Sequence, residues 1–391
     1  MTSTAITTCF ACGSQELEPI FAARGIGFTL AQRPNDLATT SAVLCRACSH
    51  VQTPPLEDIA SYYDTGYNFQ LNDAEEDDIY AVEPDGTRVF RAEHQARSVA
   101  AKCDLHDGLR VLDYGCGKAR TLELLSRAHP GITPFAFDVS DIYGALWSRF
   151  LPADRQAPYA VPESWVGTMD LVLSFFALEH TADPQGFVRE LARLLRPGGR
   201  VHVVIPSMYR NISDLVVIDH VQHFSRLSLE RLFADAGYSD IRIDAETHRA
   251  AFIVNAVHDP AALPARPAPS AADLAETMDK ARAIARQWQD IATRIEAFEA
   301  GHPDTRCVIY GSGVYGMFIA STLKDRGRVL AFLDANPFRQ GRELMGIPIL
   351  APDRVPEAAG AVYVGLNPQD ARGIIAGVAA LHDRPRSFFY L

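Results

Sequence analysis

The chain alternates short apolar runs with segments whose apolar residues recur every three or four positions. Residues 110–113, 134–138, 169–174 and 200–206 are runs of strand length. Residues 89–105 carry a helical pattern with mixed charges, and an amphipathic helix starts at Thr121. Residues 187–195 form a further helix, stopped by Pro197-Gly198-Gly199. Residues 228–237 read as a capped helix with Ser225 or Ser228 as N-cap and Gly237 as its end. Residues 241–243 and 252–257 are closing strands. Strands and helices alternating through short links predict a doubly wound α/β domain.

Beyond it, residues 259–269 are rich in proline and alanine and read as a semi-extended linker. Leu274, Met278, Ala281, Ala285, Trp288, Ile291, Ile295 and Phe298 then stripe one long helix over 272–300. Short strands follow at 307–310, 329–333, 346–350 and 361–365. With 391 residues, two to three domains are expected at about 150 residues each. The divisions fall at 1–70, 71–258, 259–300 and 301–391.

Composition narrows the function. Lys and Arg number 37 against 48 Asp and Glu, a net charge of -11, which disfavours non-specific nucleic-acid binding. No apolar stretch approaches the length of a membrane span, and residues 1–8 lack the features of a secretion signal, so a cytoplasmic protein, monomer or homodimer, is expected.

Four of the seven cysteines form two CxxC pairs, Cys9/Cys12 and Cys45/Cys48, with 32 residues between Cys12 and Cys45. Four thiolates suit tetrahedral zinc with no open position, a structural site in a module too small for its own core. Redox or free cysteines and an iron-sulfur site are the other readings. His50 is a spare ligand next to a shell already complete. The aromatic stretch around Tyr63 and Tyr67 is either a packing seam or a flap over a ligand.

The turn Asp113-Tyr-Gly115-Cys116-Gly117 joins the first strand to its helix, and Asp138 stands 21 residues beyond Gly117. Glycines there permit close approach of a ligand, and an acid ending the second strand can hold ribose hydroxyls. Position 120 is Arg, so the third glycine of a dinucleotide fingerprint is missing. An acid two residues ahead of the first glycine suits a cationic, amino-acid-bearing nucleoside, and S-adenosylmethionine carries both an ammonium and a sulfonium without a phosphate.

Through Asp113–Gly117, Asp138, Leu178-Glu-His180-Thr-Ala-Asp-Pro184 and Leu195-Arg-Pro-Gly-Gly199, the chain resembles class I S-adenosylmethionine-dependent methyltransferases. More narrowly, it resembles the three-domain sugar C-methyltransferases that act on nucleotide-linked 4-keto-deoxysugars. The resemblance implies an α/β protein with a small N-terminal zinc module, a class I methyltransferase Rossmann-like domain and a second, smaller C-terminal Rossmann-like domain. It also implies that His220, in Asp219-His220-Val-Gln-His223-Phe-Ser225, is the general base, with Asp219 standing where the family has a glutamate.

Carbon beside a ketone becomes nucleophilic only when its α-proton is removed, and an imidazole is suited to that task. His223 would share a face with His220 if the segment were helical. Tyr63, Tyr67 and His223 are candidates for stabilising the enolate oxygen. Phe176 and Glu179 are expected to border the donor and acceptor sites, with His180 in the pocket wall. His248 and Arg249 stand where the family has a His-Gly-Gly segment facing the substrate; the lost glycines narrow that space and add a charge. Methylation of oxygen or nitrogen on a related sugar or other small metabolite is the alternative chemistry.

Cys307-Val-Ile-Tyr-Gly311-Ser-Gly313-Val-Tyr-Gly316 is a GxGxxG turn, with Asp334 eighteen residues on. Alone it suggests a dinucleotide site. Too few residues follow for a complete dinucleotide domain, so a partial domain helping to bind a nucleotide-linked substrate is preferred, with plain scaffolding close behind. An NAD-linked sugar oxidoreductase and a zinc-containing interaction protein are the readings outside methyl transfer.

Overall fold

The computed structural model describes residues 6–23, 40–55, 77–83, 85–261 and 269–391. The chain divides into two units, one holding residues 1–20, 42–209 and 219–281, the other 21–41, 210–218 and 282–391.

A seven-stranded sheet organises the first unit. Its order is Tyr238–Asp244, Ala251–His258, Leu195–Pro206, Met169–Phe175, Arg110–Tyr114, Thr133–Asp138, Gln156–Pro158. The last five strands pair in parallel, while Ala251–His258 runs antiparallel to both of its neighbours. Inserting that reversed strand before the edge is the topology of class I methyltransferases, and the expected doubly wound sheet is present. Helices Arg91–Lys102, Arg120–Ala128, Pro184–Leu194 and Arg226–Asp235 connect the strands. Val111, Leu112, Leu171, Val172, Val201 and Val203 are almost wholly buried, as central strands covered on both faces require.

Helix ends follow local chemistry. Asp183 accepts from the Gly186 N–H with Pro184 in the first turn, and Ser225 accepts from the Ser228 N–H, so Ser225 is the cap. Gly237, at φ +85°, closes that helix.

Thr40–Cys45 and Val51–Gln52 belong with Leu17–Ala23 to a four-stranded sheet whose last strand is Gln222–His223. The cysteine module therefore shares a sheet with residues 170 positions away in the chain. This pairing makes the 222–223 segment extended, so the helical register that would place His220 and His223 on one face does not form.

In the second unit a six-stranded sheet runs Glu343–Leu344, Ile347–Leu350, Val329–Leu333, Cys307–Tyr310, Ala361–Val364, Ser387–Tyr390. All pairs but the first are parallel, which is the second, smaller Rossmann-like domain. The helix Ala271–Gly301 forms as its apolar stripe predicts, and its Trp288 and Ile295 are fully buried. Tyr63 and Tyr67 lie outside the described residues.

Candidate active site and the zinc centre

At the carboxyl edge of the central sheet, Gly115 and Gly117 have φ of +76° and +50°. A Cβ on Gly115 would stand 2.9 Å from that of Ala177, so only glycine fits there. The Gly115 and Cys116 N–H groups donate to the Phe137 carbonyl at 2.9 and 3.0 Å, pinning the turn to the second strand. The Gly117 N–H donates to Asp138 Oδ2 at 2.7 Å. Trp147, which the periodicity does not single out, donates its indole N–H to the Gly117 carbonyl at 2.6 Å.

Asp113 is 2% exposed, and its Oδ1 has no hydrogen-bond partner among the described residues. Burial, with Asp138 adding to it, pushes this carboxyl up to about 8. Burial also raises Asp138, against the Gly117 N–H that holds it down. A buried acid lacking a partner beside a ribose-type acid and an open glycine turn fits the cationic, hydroxyl-bearing donor S-adenosylmethionine.

Asp113 makes a pH-dependent prediction. Its folded-state value lies above the ordinary 3.8, so the ligand-free fold holds that proton more tightly than the unfolded chain does. The resulting cost is absent below about pH 4, grows by at most about 1.4 kcal/mol per pH unit and levels off near pH 8. Asp113→Asn removes it: the ligand-free variant is expected to melt above wild type at pH 8, with the gain vanishing toward pH 4. Its S-adenosylmethionine affinity should fall at least about ten-fold, the loss of one charge-assisted contact. Calorimetry across pH with donor titration checks both, and parallel melting curves would contradict the assignment.

Across the sheet edge from the glycine turn, the short turn Leu178–His180 follows strand Met169–Phe175. Glu179 is 1% exposed, His180 7%, His220 6% and Asp219 0%. Donor atoms of Glu179, His180 and His220 all lie within 4.8 Å of one another. His180 donates Nδ1–H to the Asp219 carbonyl at 2.8 Å. That bond fixes the tautomer and turns Nε2 toward Glu179 Oε1, 3.7 Å away. The His180 and His220 rings meet edge to face at 4.8 Å. One carboxylate and two imidazoles so placed can take a proton from an acceptor and pass it on. His180 therefore lies inside this buried polar cluster. His223 is buried in the strand against Val51 and is not among the three.

Residues 49–53, just past the second cysteine pair, hold this segment in place. The Thr53 N–H donates to the Val221 carbonyl at 3.0 Å and its hydroxyl to the His220 carbonyl at 3.1 Å. His50 donates Nε2–H to Gln222 Oε1 at 2.7 Å, while Gln222 donates to the Thr181 carbonyl at 2.8 Å. Burial lowers His50 to about 4, its Nε2 is committed to Gln222, and it is not among the four converging groups of the thiol cluster. The Ser49 and Ser225 hydroxyls are 2.7 Å apart.

The four thiols converge. Cys9 and Cys48 sulfurs are 3.7 Å apart, as are those of Cys12 and Cys45, and all four lie within 4.8 Å. Four Zn–S bonds of about 2.3 Å in a tetrahedron require sulfurs about 3.8 Å apart, so the set fits structural zinc. Each pair turns back the same way: the Gly13 N–H donates to the Cys9 carbonyl and the Ser49 N–H to the Cys45 carbonyl, with both residues at positive φ.

A third cluster surrounds His248. Its ring lies 5.6 Å from Phe176, 5.0 Å from Tyr80 and 5.3 Å from His94. Tyr80 and His94 stack at 3.6 Å, and the exposed Arg249 covers Tyr80 at 5.1 Å. Desolvation pushes His248 down to about 3. Phe176, at φ +54°, joins this cluster to the turn carrying Glu179. Tyr80 and His94 escaped the sequence reading because neither belongs to a motif.

In the second unit, Gly311 and Gly316 answer to packing. A Cβ on Gly311 would meet the Gly365 carbonyl at 2.3 Å, and one on Gly316 the Gly311 carbonyl at 1.9 Å. Asp334 Oδ2 accepts from both the N–H and the hydroxyl of Ser312.

Residues 86–243 match a methyltransferase domain family. The ubiquinone biosynthesis O-methyltransferase of Xanthomonas oryzae pv. oryzae is 33% identical over 108 residues, which is 26% of this chain and 45% of that protein. The enzyme of the same description from Rhizobium etli is 35% identical over 103 residues, 25% of this chain and 41% of its own length. The chain thus spans less than half the length of these curated relatives. Fold, glycine turn and family match together define the central part as an S-adenosylmethionine-binding methyltransferase domain. It is joined to a four-cysteine zinc module and a second Rossmann-like sheet. No described helix is long and apolar enough to cross a membrane.

Proposed function

We propose that this protein is an S-adenosylmethionine-dependent methyltransferase acting on a small metabolite, in which His220 removes the acceptor proton with Glu179 and His180 beside it. The observation that carries the reading is the buried Glu179–His180–His220 cluster at the same sheet edge as Asp113 and Asp138. Bound S-adenosylmethionine supplies an electrophilic methyl group. His220 takes the proton, Glu179 and His180 stabilise the charge that results, and the deprotonated acceptor atom displaces the sulfur as S-adenosylhomocysteine leaves.

An oxygen acceptor is the first reading, supported by the O-methyltransferases that match the domain. A carbon acceptor, with His220 removing an α-proton from a nucleotide-linked keto-deoxysugar, is the second. It is supported by the succession of zinc module, methyltransferase domain and second Rossmann-like sheet. In either case His248 and Arg249 hold the acceptor.

The test is methyl-deuterated S-adenosylmethionine with a panel of nucleotide-linked sugars and phenolic metabolites in heavy water, read by mass spectrometry. A labelled methyl on oxygen without exchange at carbon supports the first reading. A labelled methyl on carbon, with solvent deuterium at the neighbouring position of recovered substrate, supports the second. No donor binding would overturn both.

A further inference from the structure

Two short segments of the first unit are tied to each other through their backbones, Leu178–His180 and residues 219–223. The Val221 N–H donates to the Glu179 carbonyl at 2.8 Å, and His180 donates Nδ1–H to the Asp219 carbonyl at 2.8 Å. Thr53, of the same unit, donates its hydroxyl to the His220 carbonyl. These bonds bring together three buried side chains, Glu179, His180 and His220, whose donor atoms lie within 4.8 Å of one another. A carbonyl only accepts, so the His180 proton is on Nδ1 and the lone pair on Nε2. That lone pair meets Glu179 Oε1 at 3.7 Å, and an ionised carboxylate is likewise a donor of electron pairs only. Two such groups at this separation are stabilised by a positive charge shared between them. The gap is too long for an N–H···O hydrogen bond. Tetrahedral zinc, with bonds of about 2.0–2.1 Å, holds its nitrogen and oxygen ligands about 3.4 Å apart.

We propose that Glu179, His180 and His220 form a second metal site, which takes a divalent transition ion of the zinc, cobalt or nickel kind and keeps a coordination position open. Two imidazoles and a carboxylate are a donor set that such ions favour, whereas Mg2+ selects oxygen ligands. The bond from His180 to the Asp219 carbonyl is the outer contact by which metal-bound histidines fix their tautomer and ring orientation. The site differs in kind from the cysteine centre. There four thiolates close the shell; here three protein ligands leave the fourth position to a small molecule. The site itself stands on these three side chains, while its consequence for turnover rests on the role of His220 proposed above. A neutral imidazole has a single lone-pair nitrogen. Once that nitrogen of His220 ligates an ion, it takes no proton from the acceptor. Occupancy and proton removal exclude each other, and the ion switches methyl transfer off.

The test is a Co2+ titration of the full-length, untagged protein with zinc retained in the cysteine centre, read by visible absorption and, in parallel, by turnover. One further ion per chain is expected, with a visible band free of thiolate charge transfer and no displacement by excess Mg2+. Glu179→Gln and His180→Gln are each expected to lose this ion and keep the zinc of the cysteine centre; if one variant does not fold, the other decides. Wild-type turnover is expected to fall with occupancy, about 10²-fold or more at saturation, the contribution of a positioned base. No further ion in wild type, a thiolate charge-transfer band, displacement by Mg2+, or undiminished binding in the variants overturns the inference. An ion that binds as expected while turnover holds or rises leaves the metal site standing and removes His220 from its proposed role as base. If wild type methylates nothing, the functional reading fails and the absorption titration still decides the metal site.

Discussion

His220→Ala is expected to lower turnover about 10²- to 10⁴-fold, the usual contribution of a positioned acid or base, while S-adenosylmethionine still binds. The two effects separate because the acids proposed to hold the donor are on other strands: Asp113 and Asp138 stand at the carboxyl ends of the paired strands Arg110–Tyr114 and Thr133–Asp138, and Asp138 accepts from the Gly117 N–H. His220 instead sits with Glu179 and His180, its backbone carried by Thr53. Glu179→Gln should give a smaller loss, since it removes charge without removing the imidazole that takes the proton. Stopped-flow or discontinuous assays beside donor titration make the comparison. Equal turnover of His220→Ala and wild type would take His220 out of the mechanism and leave the cluster a structural role.

The second large effect is expected from Cys45→Ser. Closed four-thiolate sites contribute about 10–16 kcal/mol of apparent zinc-binding energy to small modules, comparable with the whole net stability of a domain. Zinc content should fall from one ion per chain to nearly none, by elemental analysis. Because residues 49–53 pair with 220–225, the loss should reach the active site as well as the module. Turnover is therefore expected to collapse together with zinc, and a chelator should reproduce this in wild type. A zinc-free variant that kept full turnover would show that the module does not support the catalytic segment.

The glycine turn and its two acids, proposed above to hold the donor, were legible because their geometry is local. Asp113, Gly115, Gly117 and Asp138 belong to one strand-turn-helix-strand unit, and the φ of each glycine is dictated by the turn itself. The cysteine pairs were legible for the same reason: CxxC closes one knuckle within four residues, and four thiolates leave few alternatives. His220, the proposed base, was named by resemblance, while the side chains that the structure gathers around it were only partly foreseen. His180 looked like a wall residue, since nothing in Leu178-Glu-His180 reveals that its Nδ1 will find a carbonyl 39 positions away. His50 looked like a spare ligand, since its partner Gln222 is 172 positions distant. The shared helical face of His220 and His223 was a local inference overridden by a non-local one, the pairing of Gln222–His223 with Val51–Gln52.

The sequence by itself determined the elements, the two glycine turns, the four-thiol zinc set and the pair of acids beside the first turn, because each depends on backbone sterics or on residues a few positions apart. Tertiary structure alone decided that the zinc module buttresses His220, that Glu179 and His180 meet it, and that residues 210–218 belong to the C-terminal unit. Those contacts join segments separated by some 40 to 170 positions. They are selected by burial and by the need of each buried polar group for a partner, conditions met in space that leave no periodic trace along the chain.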